Sequence, residues 1–208
     1  MTLRRLSKPI RIGSVTVGGS APIVVQSMTK TDTRDVRATV EQIHRLEECG
    51  CEIVRAAVPD RQAALALKEI KAHITIPLIA DIHFDHRLAL AALEAGVDGL
   101  RLNPGNLRHP KKVAEVARAA KERGVPIRVG VNAGSLPPGE GPTVERMVAA
   151  ALEEIRLLED QGFDLIKVSL KAFDVPTTVQ AYQAIADKIP YPLHLGITEA
   201  GTPRSGVI

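Results

Sequence analysis

Arg128, Gly130 and Asn132 occupy alternate positions in the stretch Arg128-Val-Gly-Val-Asn-Ala-Gly-Ser135, so in an extended chain all three face one side. A cation and an amide at the end of a strand, followed by a small polar turn, suit an anionic ligand held at the strand's tip. Gly134 lets the backbone turn at little steric cost, and Ser135 is able to bond the turn or a ligand oxygen. One such strand is weak evidence, because Arg and Asn at strand ends are commonly solvated. The design recurs, however. Asp81 shares a parity with His83, Arg101 with Asn103, and Lys167 with Ser169 and Lys171, while Gln26, Arg55, His194 and Glu199 close other apolar runs.

Inward-pointing cations destabilise a fold unless something negative meets them. Internal pairing with Asp81 and Glu199 meets only part of that demand, since Arg55, Arg101, Arg128, Lys167 and Lys171 outnumber these carboxylates by more than two to one. The surplus calls for a polyanion. A diphosphate is the simplest choice, and the guanidinium fork fits it well.

The elements that must position these groups share one plan. Ile10 to Val17 alternates around Gly13-Ser14 and predicts a hairpin that lids the bottom of the strands after it. Strands are predicted over Ile23 to Met28, Ile53 to Val58, Pro77 to Phe84, Gly99 to Pro104, Pro126 to Asn132, Leu165 to Ala172 and Pro192 to Thr198. Between them, Thr31-Asp32-Thr33 offers N-caps to a helix carrying Val36, Val40, Ile43 and Leu46, and Pro59-Asp60 opens the next. Further helices run from about Arg87 to Ala95, Pro110 to Arg123, Thr143 to Gln161 and Val175 to Lys188, with Gly50, Gly96 and Gly124 as stops.

Strand alternating with helix implies parallel strands joined by right-handed crossovers. Seven strands and six helices fit an α/β barrel of the TIM (β/α)8 type, truncated after the seventh strand and preceded by an N-terminal β-hairpin. An eight-stranded barrel needs about 250 residues and this chain has 208. A doubly wound open sheet competes, but no G-x-G-x-x-G turn supports it. The expected division is a hairpin at 1–20 and an incomplete barrel at 21–208.

Composition narrows the function classes. Hydrophobic residues are 45% and charged residues 25%, an ordinary globular balance. Twenty-seven basic against twenty-four acidic residues leave a charge of +3, and aromatics are 2%, which argues against a nucleic-acid platform. No apolar run approaches the roughly 20 residues of a membrane span. Met1 to Pro9 is basic with no apolar run after it, so a cytoplasmic protein is expected. Cys49 and Cys51 flank Gly50, a spacing poor for a disulfide and unlike a zinc or cluster site; buried or half-buried free thiols are expected.

Six segments, taken together and in order, resemble a known family. They are Val25-Gln26-Ser27-Met28-Thr29, Ala80-Asp81-Ile82-His83-Phe84, Arg101-Leu102-Asn103-Pro104-Gly105, Arg128 to Ser135, Lys167-Val168-Ser169-Leu170-Lys171-Ala172 and His194 to Gly201. They are similar to the N-terminal barrel of the 4-hydroxy-3-methylbut-2-enyl diphosphate synthases, iron–sulfur oxidoreductases of the non-mevalonate isoprenoid pathway that reductively open methylerythritol cyclodiphosphate. The resemblance implies a diphosphate site at Arg55, His83, Arg101, Asn103, Arg128, Asn132 and Lys171, with Asp81 and Ser169 in or near the same mouth and Glu199 as the acid near the reacting carbons. It also implies a 4Fe-4S cluster on a C-terminal domain whose ligands are absent from this chain, ferredoxin or flavodoxin as electron donor, and a homodimer. A chain without that domain is expected to bind substrate and not to turn it over.

The residues alone leave other classes open. A Schiff-base aldolase would use Lys167 or Lys171 on the sixth strand. A pterin-type synthase barrel also places Asp, Asn, Lys and Arg at strand ends, and a non-catalytic phosphate-binding module would need only the cations.

Overall fold

Parity decides which way each side chain of the barrel faces, and the computed structural model, which describes residues 4–83, 85–102, 110–136, 138–196, 198 and 201, shows two sets. The parallel strands are β3 (Gln26–Met28), β4 (Ile53–Ala57), β5 (Leu78–Ile82), β6 (Gly99–Leu102), β7 (Ile127–Asn132) and β8 (Ile166–Lys171), hydrogen-bonded in that order. Between them lie helices α1 (Val36–Glu48), α2 (Arg61–Ala72), α3 (His86–Glu94), α4 (Pro110–Arg123), α5 (Thr143–Glu159) and α6 (Val175–Ala186). One parity, including Val54, Ala80, Leu102, Val129 and Val168, is fully buried against the helices in the main core. That burial is the main drive for the curled sheet.

The other parity faces the barrel interior. Its lowest layer is apolar: Ile53 and Ile79 pack with Ile12 of the hairpin formed by β1 (Ile10–Ile12) and β2 (Val15–Val17). Gly13 sits at φ 55, where a Cβ would lie 2.8 Å from Asp98 Oδ1 and 3.0 Å from Pro77 Cγ. The hairpin turn therefore presses against the residues just before β5 and β6, which closes the bottom as expected. Above this layer the inward positions are charged. The barrel thus has an apolar floor and an ionic upper storey.

The N-terminal arm fastens the far end of the chain to this floor. Arg5 donates from its guanidinium to the carbonyls of Ala186, Ile189 and Tyr191, and Lys8 N–H donates to Pro190 O at 2.7 Å. Three elements differ from the sequence expectations. The N-cap of α1 is Asp35, whose side chain accepts from Ala38 N; Thr33 instead donates to Ala57 O and Asp32 binds Arg34. The segment from Pro192 to Thr198 forms one parallel bridge, Val168 to Leu193, rather than a full strand among the described residues. The bond that would extend that bridge, Leu170 N–H to His194 O, is replaced by the Tyr182 hydroxyl, which accepts from the first at 3.2 Å and donates to the second. Finally, Cys51 is buried as expected but Cys49 is exposed, and both thiols are free.

Candidate functional site

Strand register turns the separate parities into a row. Asp81 is paired across the sheet with Arg101, Arg101 with Arg128, and Arg128 with Lys167. These four residues therefore stand side by side on β5, β6, β7 and β8, at strand spacings of about 5 Å. One step higher Gly130 pairs with Ser169, and one step higher again Asn132 pairs with Lys171. Asp81, Arg101, Asn132 and Lys171 lie toward the C-terminal ends of their strands, where barrel enzymes place their chemistry, whereas Arg128 and Lys167 stand one residue in from the N-terminal ends of β7 and β8, deeper in the barrel.

Asp81 is the hub of the near side. Its Oδ1 accepts from Arg101 Nη1 at 2.9 Å and lies 3.3 Å from His83 Nε2, and its Oδ2 is 3.2 Å from Arg55 Nε. Burial opposes ionisation of this carboxyl, but the His83 hydrogen bond and the charges of Arg101 and Arg55 outweigh it and hold the pKa far below the usual carboxylate range. Arg55 also donates from Nη2 to the Met28 sulfur at 2.9 Å, a contact with no signature in the sequence.

Among the described residues the far side has no such counter-charge. Arg128 is 3% exposed, yet its Nε and Nη1 have no hydrogen-bond partner among the described residues. Burial, then the charges of Arg55 and Arg101, push its pKa down to about 9. Lys167 and Lys171 are lowered to about 7 and about 8, first by burial and then by Arg128 and Arg55. His194, flanking them, is driven well below its ordinary value by burial and then by Arg128, Lys167 and Lys171, so it is neutral.

Among the described residues, the buried side-chain atoms without a hydrogen-bond partner are Thr29 Oγ1, Arg55 Nε, Arg101 Nε, and Nε and Nη1 of Arg128. Arg55 Nε belongs to this set despite its 3.2 Å ion pair, because proximity to Asp81 is not matched by hydrogen-bond geometry. All five atoms lie on β4, β6 and β7 or directly after β3. Orphaned donors are rare in folded proteins, and their concentration in one mouth signals an anion that satisfies them.

Gly130 makes room for this arrangement. A Cβ there would lie 3.1 Å from Arg101 Nε and 3.3 Å from Ser169 Oγ. Gly196 does the same for Lys171, whose Nζ would be 3.1 Å from a Cβ. We expect Gly130→Ala to displace the Arg101 guanidinium by a few tenths of an ångström. Affinity for diphosphate should fall about tenfold, with about 1 kcal/mol of lost stability. An unchanged affinity by titration would remove Arg101 from the binding site.

The structure thus brings Arg55, Asp81, His83 and Arg101 into direct contact and places Arg128, Ser169, Asn132 and Lys171 across the same mouth. Ser135 Oγ bonds Asn132 O, which closes the turn, and Gly134 lies in a 3-10 turn rather than at positive φ. Asn103 and Glu199 fall outside the described residues. Met28 and Tyr182 are positions whose importance sequence reasoning did not single out, and Gly130 was placed on the site's face without the steric role it has here. Gly130's place between Arg128 and Asn132 was the available signal, whereas Tyr182 reads as an ordinary core residue of α6. A separate cleft of ≈ 770 Å³, lined by Asp60, Arg61, Asp85, Arg87 and Leu88 with His83 at its edge, lies beside the mouth between α2 and α3.

Comparison with known proteins agrees with this geometry. Residues 7–208 match the GcpE TIM-barrel domain family. The chain is 63% identical over 211 residues to 4-hydroxy-3-methylbut-2-en-1-yl diphosphate synthase (flavodoxin) of Dehalococcoides mccartyi, covering 100% of this chain and 61% of that protein. It is 58% identical to the protein of the same name from Geobacter sulfurreducens, over 99% of this chain and 60% of the relative. The chain therefore spans about three fifths of the length of these relatives. Among solved structures, Yersinia pestis dihydropteroate synthase aligns with a TM-score of 0.71 at 12% identity, over 96% of this chain and 83% of its own. A type I 3-dehydroquinate dehydratase from Clostridium difficile aligns with a TM-score of 0.68 at 13% identity, over 92% and 81%. At these identities the likeness shows the barrel fold alone.

Proposed function

The chain belongs to the GcpE TIM-barrel domain family, and on that footing we propose that its mouth binds 2-C-methyl-D-erythritol cyclodiphosphate for reductive ring opening to 4-hydroxy-3-methylbut-2-enyl diphosphate in isoprenoid biosynthesis. The observation that carries this reading is the cluster of orphaned guanidinium donors around Arg128. A diphosphate presents enough oxygens to satisfy Arg128, the free N–H groups of Arg55 and Arg101, and Lys171 together. Asn132, and Asn103 by resemblance, would fix its orientation. His83, held against Asp81 and Arg101, closes the near side.

Ring opening also needs a proton and two electrons. Glu199 is assigned the proton by resemblance. By resemblance the two electrons would be supplied by a 4Fe-4S cluster with flavodoxin, the donor in the relatives' names, or ferredoxin as their source. Among the described residues no group of three or more His, Cys, Asp or Glu side chains is placed to hold a metal ion. Cys51 donates to Ile53 O at the floor and Cys49 caps the C-terminal end of α1, at the opposite end of β4 from the mouth. These residues do not fit the cluster. The part derived for them is binding and charge neutralisation, and turnover by this chain alone is not expected.

We place the protein in the cytoplasm and take the working form to be a homodimer; among the described residues no helix is long and apolar enough to cross a membrane. Calorimetric titration of the chain with the cyclic diphosphate is the test. Saturable one-to-one binding supports the assignment, whereas a folded chain that ignores the ligand but binds a dihydropterin diphosphate would replace it.

A further inference from the structure

Lys167 is the cation that the proposed diphosphate site does not use. It lies 4% exposed on β8, and its Nζ reaches across the interior to Gln26 Oε1 on β3, at 3.2 Å. β3 and β8 are the two ends of the six-stranded sheet, with the Pro192–His194 segment hydrogen-bonded along the outer edge of β8, so this bond spans the seam beside that segment. The same seam holds a cleft of ≈ 430 Å³ whose lining includes Gln26, Ile53, Lys167, Pro192, His194 and Leu195. An ammonium group carries three donors. Among the described residues Lys167 has one hydrogen-bond partner, Gln26, and no carboxylate within ion-pair distance. Its neighbour in the row is another cation, Arg128.

We propose that Lys167 is an amine nucleophile that condenses with small aldehydes bearing a phosphoryl group, entering by the seam cleft. Register sets the recognition. Arg128 and Lys167 are direct partners on adjacent strands, so a phosphoryl group that satisfies the orphaned Arg128 nitrogens leaves an aldehyde carbon within reach of the Lys167 nitrogen. The step balances without an added oxidant or reductant. The amine lone pair forms a C–N bond as the carbonyl C–O bond breaks, and the oxygen leaves as water with the two amine protons. A lowered Lys167 pKa of about 7 gives a large neutral fraction at working pH, where exposed lysines are almost wholly protonated. This inference needs the anion affinity of the mouth but is independent of which diphosphate the mouth takes.

The test is reductive trapping on the 208-residue chain with pyridoxal 5′-phosphate and cyanoborohydride at about pH 7, read by peptide mass mapping. Hydride adds to the imine carbon and a proton to nitrogen, leaving a stable secondary amine. The expected result is one label per chain on Lys167, forming about tenfold or more faster than on exposed lysines. Inorganic diphosphate should suppress it, Arg128→Met should slow it, and Lys167→Met should abolish it. The unsubstituted chain supplies a second readout that needs no variant: labelling of Lys167 should titrate near pH 7 and that of exposed lysines about three units higher. Labels spread evenly over surface lysines, with Lys167 unmodified, overturn the proposal. Labelling of Lys167 that diphosphate leaves unchanged overturns the phosphoryl-directed part. Diphosphate binding with no trapping at Lys167 overturns the inference while leaving the proposed function intact.

Discussion

Arg128→Met should make the ligand-free chain more stable by about 1–3 kcal/mol while weakening its affinity for a diphosphate by about 2–5 kcal/mol. The two changes have opposite signs because one side chain is responsible for both. Arg128 is buried among other cations with two guanidinium nitrogens unbonded, so in the empty mouth it contributes desolvation and repulsion and few compensating bonds. Methionine fills a similar volume without those charges and leaves no donor unsatisfied. Once an anion binds, the same nitrogens make charge-assisted hydrogen bonds in a dry site, and methionine makes none. Denaturant unfolding of both proteins with and without inorganic diphosphate measures both effects. Diphosphate should stabilise the parent chain much more than the variant. A variant that is less stable in the absence of ligand would show that Arg128 is a structural residue with partners other than an anion.

Much of this mouth was legible because strands alternate. Asp81 with His83, Arg128 with Asn132, and Lys167 with Lys171 could be assigned to a common side from spacing alone; the structure buries Asp81, Arg128 and Lys167 in one cross-strand row, while His83, past the end of β5 and exposed, still reaches Asp81. Register was not legible. That Arg101, Arg128 and Lys167 form one row depends on how far each strand is staggered against the next, which is set by packing of the outer face onto α3, α4, α5 and α6. Helix starts show the same boundary. Thr31, Asp32, Thr33 and Asp35 are chemically equivalent N-caps, and the choice of Asp35 comes from tertiary bonds that engage Thr33 with Ala57 O and Asp32 with Arg34. The seventh strand failed to extend beyond one bridge because a phenol from α6 entered the ladder, and no local pattern announces that a helical tyrosine will do so. Gly130 is intermediate. Its lack of a side chain was visible, but only the position of Arg101 shows what the missing atom makes room for.

Asp81→Asn tests the other half of the charge arrangement, and its expected cost is the largest: about 3–5 kcal/mol of stability in the ligand-free chain. The carboxylate is the common partner of Arg101, Arg55 and His83, and it is 3% exposed. An amide keeps one acceptor but no charge, so Arg55 and Arg101 would face each other and Arg128 without compensation. Acid titration of the parent chain should show the same dependence. The folded-state pKa of Asp81 lies below its unfolded value of about 3.9, so the unfolded chain binds more protons between the two. The stabilisation is therefore complete above that unfolded value and is lost as pH falls toward the folded one, with a slope approaching about 1.4 kcal/mol per pH unit for the single proton. Asp81→Asn should flatten this limb. Diphosphate should restore more stability to the variant than to the parent, because the ligand then supplies the negative charge that Arg55 and Arg101 have lost with Asp81. An Asp81→Asn chain as stable as its parent, with an equally steep acid limb, would mean that the cations are held apart by something other than this carboxylate.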